Sequence, residues 1–268
     1  RIYAAGVALG SLEVESREAG ISSQPCEAKS VGPGVLRLKP LGFVDTGMLY
    51  VIIFKLGGSM PTYFSIQYSF PYDYFYANFT QEIYETIFEC FSFKSGYWNS
   101  EDNNLEEIIS WNSKLLSDKF KLEFDQHVRH NYKQVLLQSN QFSHLRLFWT
   151  YQSNEIILHL ILPEDEIELD DDSWKFNGEQ IAPLLNLSVK IWEKYRLNMV
   201  QTYRELGAPV SLREVLKGKL ASTDPFSIMG FELFEKQENL ESNYKTIVIK
   251  NGLLIIEQEY VSLFNEVR

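Results

Sequence analysis

The pattern of apolar and polar positions changes character near residue 47. Phe64, Ile66, Tyr68 and Phe70 alternate with Tyr63, Ser65, Gln67 and Ser69, the period of two that marks a strand with one buried face. Met48 to Lys55 is a second apolar run, and the Gly57-Gly58 link between the two predicts a hairpin over 48–70. Asn78 with Gln81 resembles a capping box, and Ile83, Ile87, Phe88 and Phe91 follow at helical spacing, predicting a helix over about 80–92. Asn103 and Glu106 repeat the signal ahead of Leu105, Ile108, Ile109, Asn112 and Leu116, a second helix ending near 117.

Further on, Phe120, Leu122 and Phe124 read as a short strand, and Val128, Tyr132, Val135 and Leu136 return to helical spacing. A hairpin over 143–162 follows. A two-residue turn at Ser153-Asn154 sets Leu147 opposite Leu160, Trp149 opposite Leu158 and Tyr151 opposite Ile156, an all-apolar face that a one-residue slip would destroy. The spacing of Ile181, Leu185, Val189, Trp192, Tyr195, Met199, Tyr203 and Leu206 predicts one long amphipathic helix over about 180–206, stopped by Gly207 and Pro209. Ile228 to Phe234 reads as a strand. Asn251-Gly252 supplies the positive backbone angles of a type I′ turn in a last hairpin over 244–260.

These elements describe an α+β protein, a mainly antiparallel sheet built from the hairpins 48–70, 143–162 and 244–260 with helices packed on it. The order strand, helix, strand, strand, helix, strand over 119–234 also matches a ferredoxin-like unit. Residues 1–42 stand apart, with Gly and Pro frequent and Tyr3 the only aromatic; they read as an irregular, partly ordered segment. Residues 43–268 read as a single α+β domain, or as two subdomains dividing near 118.

Charge narrows the function classes. Asp and Glu number 36 against 25 Lys and Arg, a formal charge of −11, which disfavours nucleic acid as the main ligand because phosphate contacts need clustered positive charge. The longest apolar run, Met48 to Phe54, holds seven residues, whereas a membrane helix needs roughly twenty; no membrane is expected. Only Cys26 and Cys90 occur, which suits a reducing, cytoplasmic location.

Candidate chemistry is sparse. His127 and His130 could share a helix face, but tetrahedral zinc needs a further donor. His159, facing Phe148 and flanked by Ile157 and Ile161, reads as structural, and His144 lies too far along its strand to chelate with it. Cys90, between Phe88 and Phe91, reads as a buried, inert thiol. Neither a nucleophile elbow nor a phosphate-cradling glycine loop is present. The expectation is therefore no catalytic residue, no metal and no cofactor.

Two features remain. Glu164, Asp165, Glu166, Glu168, Asp170, Asp171 and Asp172 put seven carboxylates into nine positions, and Tyr72, Tyr74 and Tyr76 lie in the densest aromatic stretch. Anionic groups steer basic partners, and tyrosines supply contact area with few rotors. The expected function is a non-catalytic protein-binding module or intracellular inhibitor of the immunity type, docking a basic protein through these ten residues. The alternative is an enzyme, a hydrolase first, with an active site assembled from dispersed carboxylate, His and Tyr side chains.

Overall fold

The computed structural model describes residues 62–97, 104–121, 131–169, 175–237 and 242–267. The expectations for 1–42, for the 48–55 strand, and for His127, His130 and Asp170 to Asp172 lie outside them.

Nine strands among the described residues form one antiparallel sheet: β1 (Tyr63–Pro71), β2 (Ser92–Gly96), β3 (Val135–Gln138), β4 (Leu145–Gln152), β5 (Glu155–Pro163), β6 (Met199–Tyr203), β7 (Phe226–Met229), β8 (Tyr244–Ile249) and β9 (Gly252–Glu257). Their spatial order is β2-β3-β4-β5-β1-β6-β7-β9-β8. The helices are α1 (Phe79–Phe88), α2 (Leu105–Ser117), α3 (Gly178–Lys194), the single turns α4 (Leu212–Val215) and α5 (Phe231–Phe234), and α6 (Val261–Val267). Helices beside a large antiparallel sheet make the chain α+β. Among the described residues no helix is long and apolar enough to cross a membrane.

One face of the sheet carries the main core. Phe64, Ile66, Tyr68 and Phe70 of β1 join Leu147, Trp149, Leu158, Leu160, Val200, Ile228 and Leu254 in one cluster with Ile83, Ile87, Leu185 and Ile191 of the helices. Some polar groups inside it are paired there: the Tyr84 hydroxyl accepts from Trp149 Nε1 at 2.8 Å and from Asn112 Nδ2 at 3.1 Å. Met199, Met229 and Ile255 point to the other face, where Val210 and Val215 cover them. Strands β6, β7 and β9 are thus covered on both sides.

The β4–β5 register is the one the sequence specifies, Leu147 opposite Leu160 and Trp149 opposite Leu158, with Ser153 and Asn154 both at positive φ in the turn. The last hairpin turns at Lys250 and Asn251 (φ 61°), one residue before the expected Asn251-Gly252, and Gly252 opens β9 opposite Ile249, where close approach requires it. A Cβ on it would lie 2.5 Å from the Met229 carbonyl oxygen and 2.6 Å from the Trp192 ring. Asn104, one residue later than expected, caps α2 by accepting from the Glu106 and Glu107 amides.

Several expectations are corrected. The long helix stops at Lys194, and Met199 to Tyr203 form strand β6, paired with β1 and β7. A spacing of four keeps two residues on one face of a strand as well as of a helix, so Met199 and Tyr203 could not discriminate between the two. Both edges of β1 are taken, by β5 and β6, so β1 is a central strand. Val135 to Gln138 are strand, not helix, and Phe120 and Lys121 lie outside any strand. With β1 inserted between β5 and β6, residues 119–234 do not reproduce the ferredoxin-like order. The strand at Ile228 ends at Met229, and Phe231 to Phe234 turn into α5.

Candidate functional site

The antiparallel register brings five chain segments to one end of the sheet: the start of β1, the ends of β5, β6 and β9, and the start of β7. Strand ends free ionisable side chains from the core while fixing their backbones. Glu164 follows β5, Arg204 follows β6, Asp224 precedes β7 and Glu257 closes β9.

Arg204 lies at the centre. Its Nε is 3.4 Å from Glu168 Oε1, its Nη1 is 4.0 Å from Asp224 Oδ1, and its guanidinium sits 4.2 Å from the centre of the Phe176 ring. Glu164 accepts from the Glu205 amide at 2.5 Å, Glu205 from the Tyr63 amide at 2.9 Å, and Glu166 from the Ser143 amide at 3.0 Å. At the rim Lys175 pairs with Glu259 at 2.9 Å. The carboxylates of Glu164, Glu168, Asp224, Glu257 and Glu259 thus face the cations of Arg204 and Lys175.

Proton affinities record the imbalance. Burial pushes the Glu257 carboxyl up to about 7, with Asp224 and Glu259 adding repulsion and Arg204 opposing it. Asp224 is raised too, first by burial, against the pull of Arg204 and with a push from Glu164. Such an end can attract a cation, or exchange a proton near neutral pH. Among the described residues no group of three His, Cys, Asp or Glu side chains is arranged to hold a metal ion.

Glu164, Glu166 and Glu168 of the expected ten residues lie at this end, and Asp165 is exposed beside them. Tyr72, Tyr74 and Tyr76 lie at the other: the Tyr72 amide donates to the Asn154 carbonyl in the β4–β5 turn at 3.2 Å. Nine antiparallel pairs of β1 and β5 intervene, roughly 27 Å at ~3.3 Å per residue. The acidic and tyrosine groups therefore do not form one patch. The tyrosines are half-buried, Tyr74 and Tyr76 edge-on to Phe79, and Tyr76 donates to Glu82 at 2.6 Å.

The sequence reading missed Arg204, Asp224 and Glu257. They are separated by tens of residues, and their only shared signal is a position next to a strand end. Cys90 is corrected: α1 ends at Phe88, leaving the thiol exposed. His159 is fully enclosed, stacked on Phe148 at 4.3 Å with Thr150 Oγ1 3.0 Å from Nε2, and burial holds its pKa down at about 3.

A half-open cleft of about 370 Å³ at the end of α3 is lined in part by Trp192, Lys194, Tyr195, Arg196 and Lys250. Its cations are committed within the fold. Lys250 donates to the Glu193 carbonyl at 2.7 Å, Lys194 to Thr86 Oγ1 at 2.8 Å, and Arg196 lies 3.4 Å from Asp73.

No protein-family model, curated protein or solved structure matches the chain. The fold and site by themselves define an α+β protein whose nine-stranded antiparallel sheet gathers an anionic cluster at one end.

Proposed function

We propose that the chain is a non-catalytic protein-binding module, an inhibitor of the immunity type acting in the cytoplasm, that docks a basic partner at the anionic end of the sheet. The observation that carries the reading is the excess of carboxylate over cation around Arg204, with Glu257 held up to about 7. An arriving Lys or Arg side chain relieves the repulsion between Asp224 and Glu257 and allows both to ionise, so part of the binding energy is already stored in the site. Tyr72, Tyr74 and Tyr76 contribute only to a partner broad enough to span the sheet. The test uses the full chain as bait in parallel with a Glu168→Gln, Asp224→Asn, Glu257→Gln variant. Recovery of one basic protein by the wild type, weakened by salt and lost in the variant, supports the reading. Equal recovery by both baits rejects it.

A second reading is favoured by the same Glu257. A carboxyl titrating near neutral pH beside a second carboxylate suits general acid–base work, as in a hydrolase. That reading requires turnover in a panel of ester, amide and glycoside substrates, abolished by Glu257→Gln.

A further inference from the structure

Two arginines of this sheet, Arg146 within β4 and Arg204 just past the end of β6, lie in largely buried surroundings, and they are treated differently. Arg204 meets Glu168 and Asp224. Arg146, in the middle of the β3–β4–β5 ladder opposite Leu136 and Ile161, is 9% exposed. Its guanidinium carbon lies 4.3 Å from the centre of the Tyr97 ring and 5.1 Å from that of Tyr63. Among the described residues neither a hydrogen bond nor an ion pair joins Arg146 to another side chain or backbone group, and its Nε is enclosed without an acceptor.

Aromatic faces attract the cation but offer no lone pairs, so the rings leave the guanidinium without a protein acceptor among the described residues, and its Nε is enclosed in that state. Leaving a buried charge in that state is costly, which is why buried arginines are normally paired. The surroundings add further cationic and donor groups. His144 stacks edge-on to Tyr97 at 5.3 Å, and Arg146 and Lys94 both act on it as neighbouring positive charges. Glu166 also acts on His144, as a negative charge, but its carboxylate is occupied by the Ser143 amide and hydroxyl.

We propose that Arg146, flanked by Tyr63 and Tyr97, anchors an oxyanion-binding site in which a carboxylate or phosphoryl group of a ligand accepts hydrogen bonds from the guanidinium. The planar fork matches both groups, and the charge-assisted bonds satisfy donors that the fold leaves empty. This site is separate in chemistry from the anionic end, and it stands whether or not a basic partner docks there.

The experiment titrates the full-length chain with sodium phosphate and, in a second arm, sodium acetate, against sodium chloride at equal ionic strength. Arginine Nε–H resonances are followed by NMR and affinity by calorimetry. The Arg146 resonance, assigned by its disappearance in Arg146→Lys, should move saturably with phosphate, acetate or both. The arm that responds names the ligand's head group. Affinity should fall roughly tenfold or more in Arg146→Lys, the ratio expected when charge-assisted hydrogen bonds are lost. A second variant, Arg146→Met, removes the charge altogether and should abolish binding; where it fails to fold, the wild-type resonance and Arg146→Lys decide. A resonance unmoved by either anion, or moved equally by chloride, overturns the proposal, and so does unchanged affinity in a folded Arg146 variant.

Discussion

Replacing Glu257 by Gln should stabilise the protein at alkaline pH and leave it unchanged at acidic pH. The Glu257 carboxyl titrates at about 7 in the folded chain against an ordinary value of 4.5. Between those limits the folded chain holds a proton that the unfolded chain has released, so stability falls as pH rises through the window. At ~1.4 kcal/mol per pH unit of difference the bound on this loss is about 3 kcal/mol. Residual solvent access lowers the expected cost to about 1–2 kcal/mol. Gln keeps the shape of the protonated acid and cannot ionise. Urea unfolding at several pH values from about 4 to about 8, with the denaturant slope checked for constancy, measures the difference. Glu257→Gln should match the wild type near pH 4 and exceed it by about 1–2 kcal/mol near pH 8. Asp224→Asn should recover part of the same gain, and the two changes should add to less than their sum because they remove one shared repulsion. Parallel stability curves for wild type and Glu257→Gln would refute the account of the anionic end.

Other expectations follow from single contacts. Tyr84→Phe strips the acceptor from the Trp149 indole and one acceptor from the Asn112 amide, and should cost about 2 kcal/mol in chemical denaturation. Gly252→Ala drives a Cβ into the Met229 carbonyl and the Trp192 ring; a loss of about 2 kcal/mol or more is expected, visible also as a change in tryptophan fluorescence. His159, its pKa lowered to about 3 from 6.5 by burial, should show no ring-proton titration by NMR between about pH 4.5 and 8. The unfolded chain takes up a proton there that the folded chain refuses, so this residue's contribution to stability is lost as pH falls from 6.5 towards 3. A titration midpoint near 6.5 would mean that the ring is solvated.

Elements whose determinants are local were legible. The β4–β5 hairpin could be read to the residue because one turn and one alternating face fix its register together. The last turn and the head of α2 were legible to within one residue: the turn falls on Lys250-Asn251 rather than Asn251-Gly252, and Asn104 rather than Asn103 caps the helix. Legibility failed where a segment is buried on both sides. In β6 every residue is buried, so no polar face declares the period, and the continuation of α3 through Tyr203 satisfied the same apolar spacing. The candidate sites were less legible than the fold. The acidic run pointed to Glu164 and Glu168, but its partners Arg204, Asp224 and Glu257 carry no pattern of their own.

The sequence by itself determined the composition of the core, the local turns and caps, and the surplus of negative charge, because these depend on residue type and near-neighbour spacing. Only the tertiary structure decided that β1 is a central strand and that the acidic run and the tyrosines lie at opposite ends of the β1–β5 pair. It also decided that Arg204 is paired while Arg146 is held between rings without an acceptor. The physical reason is that neighbours across an antiparallel sheet are set by strand order. That order is chosen by the burial of whole faces, and no short stretch of the chain encodes it.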